Sequence, residues 1–350
     1  MKPCSLSIAI LLLATAFMST TEAFQPDAKQ NVYKPTIDRL LQDQLVLNPI
    51  PATTTTTTTV VPVPPVEKEL DANAGPTDYW FHPKIHTFGN VGPLGAIHAS
   101  VAPLATKLID VAAYNGENVR DQIARELSYS IMSFPSTTSS NSDNASSTNQ
   151  QQPKIVDLAC GVGMSTRALQ KAFPHASQLV AIDTSPQMIR MAKALSNPES
   201  LASQTVQVLS DWLFRINDMT PPPSSVDEVL GDEALCDIEY NLGNAEDTGL
   251  EGGTFDLATI MYCFHEAPYW GRSRILQEAH RLLAPGATLA ILDISPTYEP
   301  SFSMLAGEPY VLEYKENIQV QLKEQAKGFQ NCRYREVVEG HVGLWLLDRE

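Results

Sequence analysis

The chain has 350 residues, 43% of them apolar, which is enough to bury a sizeable core. Its formal net charge is −16, from 40 acidic against 24 basic residues. That balance, with no basic cluster anywhere, disfavours nucleic acid as a partner and leaves a small molecule as the expected substrate.

Residues 1–23 read as a secretory signal, with Lys2 as its charged start, an apolar run over 6–18 and a cleavage site at Thr21-Glu22-Ala23. The run is too short to span a bilayer. No later stretch is expected to reach spanning length, so the mature chain is expected to be soluble. The sequence Ala23-Phe24-Gln25-Pro26 resembles the bipartite plastid-targeting leader of algae with secondary red plastids. That resemblance implies import into a plastid, with secretion or an endomembrane lumen as the alternative. Residues 24–75 then read as a transit segment and unstructured linker, through a threonine run at 53–59 and a proline-rich stretch at 60–65. Apolar residues over 37–47 mark a short amphipathic patch within it.

Residues 76–135 are expected to form an N-terminal helical cap. Apolar spacing predicts helices over 105–113 and 118–131. Before them lies Tyr79-Trp80-Phe81-His82-Pro83-Lys84-Ile85-His86, suited either to covering a site or to docking the cap on the core. Residues 136–153 form a Ser/Thr/Asn/Gln-rich flexible insertion holding the sequon Asn144-Ala145-Ser146.

From 154 to 350 strand and helix patterns alternate, predicting an α/β core. Strands are expected near 154–159, 178–183, 236–241, 255–261 and 288–294, with an acidic, proline-bearing insertion at 219–232. Two strand-like runs, 332–338 and 341–347, joined at Glu339-Gly340, predict a terminal hairpin. The first strand feeds Asp157-Leu158-Ala159-Cys160-Gly161-Val162-Gly163, a small-residue turn opening a helix. Its glycines let a ligand approach the backbone at the carboxyl end of a strand. Asp183 ends the next strand 22 residues after Gly161, where a carboxylate accepts from both ribose hydroxyls of a nucleoside. The third strand leads to Gly243-Asn244-Ala245-Glu246-Asp247, and the fourth to Tyr262-Cys263-Phe264-His265-Glu266-Ala267-Pro268.

These motifs, in this order, resemble a class I S-adenosylmethionine-dependent methyltransferase over roughly residues 154–350. The resemblance implies a Rossmann-like, doubly wound, mainly parallel seven-stranded sheet whose last strand is antiparallel. It implies S-adenosylmethionine as cofactor. Asp157 would orient the methionine ammonium, directly or through water, and the backbone of Ala159, Cys160, Gly161 and Gly163 would line the methionine half. Asp183 would bind the ribose and Met188 would pack on adenine. Asn244 and Ala245 would contact the adenine edge, and Tyr262 begins the loop facing the transferred methyl. The family often has glycine where Ala159 stands, so a positive φ there would strain the loop. Bland alternatives remain open: Asp157 capping the turn, Met188 as helix core.

His265 is the expected general base, since an imidazole titrates near neutrality; capping the next helix or orienting the loop is the alternative. Glu266 reads as a helix-start residue. Tyr310, Tyr314 and Met304 are candidates to contact an aromatic or lipid-like acceptor. The core looks nearest to the quinone and sterol methyltransferases, which points by fold analogy to a prenylquinone or similar lipid.

Two other functions compete. One is a catalytically silent methyltransferase-like binding or assembly protein, which the intact glycines and Asp183 argue against. The other is a nicotinamide-dependent oxidoreductase, disfavoured because Thr166 stands where that fold wants a third glycine or alanine. Beyond Cys4 in the leader, Cys160, Cys236, Cys263 and Cys332 have no Cys-x-x-Cys or zinc spacing. They are expected as reduced thiols, and no metal site is expected.

Overall fold

Neighbouring residues along the central strands turn to opposite faces, and both faces are apolar. Ile155, Leu179, Leu257 and Leu292 pack to one side, Val156, Val180, Ala258 and Ile291 to the other. A sheet patterned in this way must be covered on both sides, which suits parallel strands joined by helices. The computed structural model describes residues 48–49, 78–81, 89–133, 152–216 and 235–350. The signal segment, the patch over 37–47, the 136–148 tract with Asn144, the 219–232 insertion, His82 and His86 lie outside the described residues.

The strands are β1 (Asn48–Pro49), β2 (Lys154–Leu158), β3 (Gln178–Asp183), β4 (Ile238–Leu242), β5 (Phe255–Met261), β6 (Leu283–Ile294), β7 (Phe329–Val338) and β8 (Val342–Arg349). They form one sheet in the order β1-β7-β8-β6-β5-β2-β3-β4. Strands β2 to β6 pair in parallel, while β8 is antiparallel to both β6 and β7. The doubly wound seven-stranded sheet and its terminal hairpin are as expected. The difference is β1, two residues of the presumed linker that pair antiparallel with Arg333 and Tyr334 at the far edge.

The helices are α1 (Gly92–Ala113), α2 (Val119–Ser133), α3 (Met164–Ala172), α4 (Pro186–Leu195), α5 (Leu201–Ile216), α6 (Tyr269–Leu282), α7 (Phe302–Gly307) and α8 (Val311–Gln325). Helices α6 and α8 cover one face through Ile275, Leu276, Tyr314 and Ile318. Helices α2 and α3 cover the other through Val119, Ile123, Leu127 and Leu169. The expected helix over 105–113 in fact begins at Gly92. Its first turns are rich in alanine, glycine and proline, so no amphipathic stripe announces them. With that extension α1 is long and apolar enough to cross a membrane by length and composition, contrary to expectation. Strand β6 also starts early, at Leu283. A register shift opposite Phe255 and Leu257 takes up Ala284 to Ala287, with Gly286 at φ +79°.

The chain leaves β2 toward β3 on one side, and β5 lies on the other. The crevice at the carboxyl ends of β2 and β5 is therefore the topological switch point, where an open α/β sheet presents its ligand site.

Candidate active site

The glycine loop is built on a buried carboxylate. Asp157, wholly buried at the end of β2, accepts from Ser165 Oγ at 2.7 Å and Thr166 Oγ1 at 2.6 Å in the first turn of α3. Thr259 Oγ1 of β5 donates to its other oxygen at 2.7 Å, across the switch point. Burial raises the Asp157 pKa, and the three hydroxyl donors oppose that rise. In this arrangement Asp157 fastens the loop from beneath, one oxygen accepting two hydroxyls and the other one.

Above it the backbone takes left-handed conformations at Ala159 (φ +58°), Gly161 (φ +54°) and Gly163 (φ +73°). Glycine is required at 163, where a Cβ would lie 2.5 Å from the Tyr240 hydroxyl. At Gly161 a Cβ would meet nothing within 4 Å, so its backbone faces open space. Ala159 holds the same conformation with a methyl group, so the strain expected for a positive φ at this position is present. Cys160 is buried against Ala181, Ile189, Ala192 and Tyr240, and burial pushes its thiol pKa well up.

Asp183 closes the loop from the next strand. Its Oδ2 accepts from the Gly161 amide at 2.8 Å and its Oδ1 from the Ser185 amide at 2.8 Å. Burial lifts its pKa to about 6, against the pull of those two amides. Ser185 caps α4 and donates to the Asn90 carbonyl at 2.6 Å, while Asn90 Nδ2 donates to Thr184 Oγ1 at 3.1 Å. Asn90, just before α1, is thereby tied beside Asp183. Asn244 turns inward to accept from the Glu246 amide at 3.0 Å, and Ala245 is buried in the main core.

Met188 and Tyr262 also have partners within the protein. Met188 packs with Ala99, Val162 and Leu195 beneath α1, the helix-core alternative. Tyr262, at φ +56°, lays its ring under the Arg120 guanidinium of α2 at 4.1 Å. Tyr314 is fully buried and donates to the Ile294 carbonyl at 2.8 Å. Tyr310 and Met304 pack at the margin of the main core.

His265 lies in a single 3-10 turn, Phe264–Glu266, directly after β5. Its Nδ1 is 2.5 Å from Asp293 Oδ1 on β6. Asp293 also accepts from the amides of Phe264 and Ile294, both at 2.7 Å, which fixes the carboxylate that orients the ring. The imidazole Nε2 lies 3.6 Å from Glu308 and 3.8 Å from Glu266. Burial alone would lower the His265 pKa, but Asp293, Glu308 and Glu266 together lift it to about 10. At neutral pH the ring therefore already carries its proton. In that form it donates rather than accepts, so the expected role as a base requires the ring first to give up that proton. Asp293 was missed because it sits within an apolar strand, Leu289-Ala290-Ile291-Leu292-Asp293-Ile294; a lone carboxylate in such a run was the available signal.

Aromatic side chains cluster near the start of α6. Tyr79 and Trp80, in a 3-10 turn at Asp78–Phe81, are buried in the main core. Tyr79 meets Trp270 edge-on at 4.8 Å and Tyr310 at 6.4 Å. Trp80 Nε1 donates to Glu246 at 3.3 Å. Buried Arg272 ties the loop after β5 to α8, donating to the Ala267 carbonyl at 2.5 Å and to Gln321 at 2.7 Å. Among the described residues every cysteine is a free thiol.

Residues 156–291 match the methyltransferase domain family. The chain is similar to a demethylmenaquinone methyltransferase of Lactiplantibacillus plantarum, 26% identical over 146 residues, which are 42% of this chain and 47% of that protein. A demethylmenaquinone methyltransferase of Lactococcus lactis is also 26% identical, over 154 residues covering 43% and 47%. The chain thus spans about half the length of the curated relatives it matches. Among solved structures it is similar to a SAM-dependent methyltransferase from Aquifex aeolicus, with 18% identity, a TM-score of 0.36, and 57% of this chain and 82% of that one covered.

Proposed function

We propose that this chain is a methyltransferase that takes its methyl group from S-adenosylmethionine and passes it to a small-molecule acceptor. One observation carries the reading. The Gly161 amide is bound to Asp183 at the carboxyl ends of adjacent parallel strands, beside backbone that faces open space. The residues present fit the cofactor. Each Asp183 oxygen accepts a single amide, which leaves a lone pair on each for a ribose hydroxyl. The 159–163 backbone would hold the methionine half, and the Asn244–Ala245 turn the adenine edge.

When bound, the cofactor's sulfonium supplies an already activated methyl group. The chain then has to orient the acceptor and exclude water, and orientation supplies much of the rate. The buried aromatics Tyr79, Trp80, Trp270 and Tyr310 form an apolar wall suited to a flat, ring-bearing acceptor. His265 and its carboxylates, after β5, form its polar counterpart. A prenylquinone or related lipid fits this division, and the names of the two bacterial relatives favour it. The leader is read as directing the protein to a plastid.

Labelled-methyl transfer from S-adenosylmethionine into an extract of small molecules tests the activity, with S-adenosylhomocysteine titration as the binding readout. Binding together with a labelled product is expected. Binding with no transfer to any acceptor would leave a silent binding protein, and no binding would remove the cofactor reading.

A further inference from the structure

We propose that Arg120 holds the carboxylate of the cofactor's methionine half, a role that rests on the function proposed above. Arg120 stands in the first turn of α2, and that turn is fixed in place. Asn118 Oδ1 accepts from the amides of Arg120 at 3.2 Å and Asp121 at 3.4 Å, while Val119 and Ile123 are buried in one cluster with Ile155 and Leu257 of the sheet. From there the side chain reaches over Tyr262, with its guanidinium carbon 4.1 Å from the ring centroid. Tyr262 directly follows β5, so the cation stands at the carboxyl end of that strand, at the switch point. Its charge also reaches Asp157 at the end of β2, where it opposes the rise in pKa that burial causes.

This guanidinium is half-buried, and among the described residues no acidic side chain lies within ion-pair distance of it. Two acids that its charge reaches are engaged elsewhere: Asp110 pairs with Lys107 at 3.5 Å, and Asp157 accepts three hydroxyls. Arg125, Arg190 and Arg215 lie exposed, where water satisfies a cation. Arg120 has less water and a built platform. Stacking on Tyr262 occupies one face of the guanidinium and leaves its N–H edge free. That planar fork matches a carboxylate with two parallel hydrogen bonds.

The sheet order selects which carboxylate. Strands β5, β2 and β3 are neighbours in that order. Asp183, the ribose acceptor under the proposed function, ends β3; the 159–163 loop follows β2; Arg120 stands at β5. Two strand spacings, about 10 Å, separate the outer two. The methionine half links ribose to its carboxylate and bridges that gap across the loop. With ribose held at one end and carboxylate at the other, the sulfur between them is fixed and its methyl group oriented.

Calorimetric titration of the full chain compares S-adenosylhomocysteine with its decarboxylated analogue, which keeps the nucleoside, sulfur and amine. The parent should prefer the carboxylate-bearing ligand by at least about tenfold, a comparison that needs no variant. Arg120→Gln should weaken S-adenosylhomocysteine by about 10–150-fold and leave the affinity for the analogue unchanged. Arg120→Lys keeps the charge without the fork and should fall between parent and glutamine variant. Circular dichroism of each variant establishes that it is folded. Equal S-adenosylhomocysteine affinity in parent and Arg120→Gln overturns the proposal and leaves the cation to an acidic acceptor. An equal loss for both ligands also overturns it, making Arg120 a prop for Tyr262. A parent that binds both ligands equally well refutes the carboxylate contact alone, and one that binds neither refutes the methyltransferase reading with it.

Discussion

The amide of Gly161 donates to the carboxylate of Asp183 at 2.8 Å, so the glycine loop and the end of β3 are one unit. The group expected to recognise ribose thus also holds the backbone expected to line the rest of the ligand. Affinity and loop order are coupled through a single side chain.

Asp183→Ala removes both functions. The loss of charge-assisted hydrogen bonds should weaken S-adenosylhomocysteine binding by about 1.5–3 kcal/mol, or about 10–150-fold. Isothermal titration measures it. Undiminished affinity would show that Asp183 does not meet the ribose.

The same carboxylate sets a pH dependence. Its pKa is raised to about 6 by burial. Above pH 7 it is ionised and accepts from ribose; below pH 6 it is protonated and loses acceptor capacity. Affinity should be flat from pH 7 to 8 and fall progressively below 6, toward about tenfold per unit. The Asp183→Asn variant should bind more weakly and lose this slope. A parent whose affinity is flat from pH 7 down to 5 would refute the assignment.

Ala159→Gly should stabilise the protein. A left-handed alanine costs about 1–2 kcal/mol, partly offset by the greater freedom of glycine in the unfolded chain. The net gain of about 0.5–1 kcal/mol should appear as a rise of a few degrees at most in the thermal midpoint. An unchanged or lower midpoint would mean that the strain at φ +58° is relieved elsewhere.

Gly163→Ala should do the reverse, costing about 2–4 kcal/mol from backbone strain and contact with Tyr240. Combining it with Tyr240→Phe removes the oxygen that the new methyl would strike. The double variant should therefore lose less than the two single losses added together. Strict additivity in chemical denaturation would show that Tyr240 is not the obstacle.

The leader is tested in an algal cell. Residues 1–75 fused to a fluorescent reporter should reach the plastid, and Phe24→Ala should stall the reporter outside it. Secretion of both versions would defeat plastid import while sparing the signal segment.

What could be read in the sequence was local. Gly161, Gly163 and Asp183 declare themselves because a tight turn and a strand end constrain residue type within a few positions. The core strands were legible from runs such as Leu179-Val180-Ala181-Ile182. The polar wall was not, because Asp293 and Glu308 meet His265 from 28 and 43 residues away, and only the folded sheet brings them together. Pairing also changed a role. In isolation an imidazole titrates near neutrality, but three carboxylates raise the pKa of His265. The early turns of α1 escaped notice because their alanines and glycines produce no periodic contrast.

Strand β8 runs from Val342 to Arg349 yet lies between β6 and β7, and Leu344, Trp345 and Leu347 are among its deeply buried side chains. The sheet therefore cannot be closed during synthesis until these residues have left the ribosome. Until then the open edge of β6 is an unpaired template for other chains. The nascent protein is exposed to aggregation until β8 is made, and a chain truncated after Gly340 should fail in folding before it fails in catalysis.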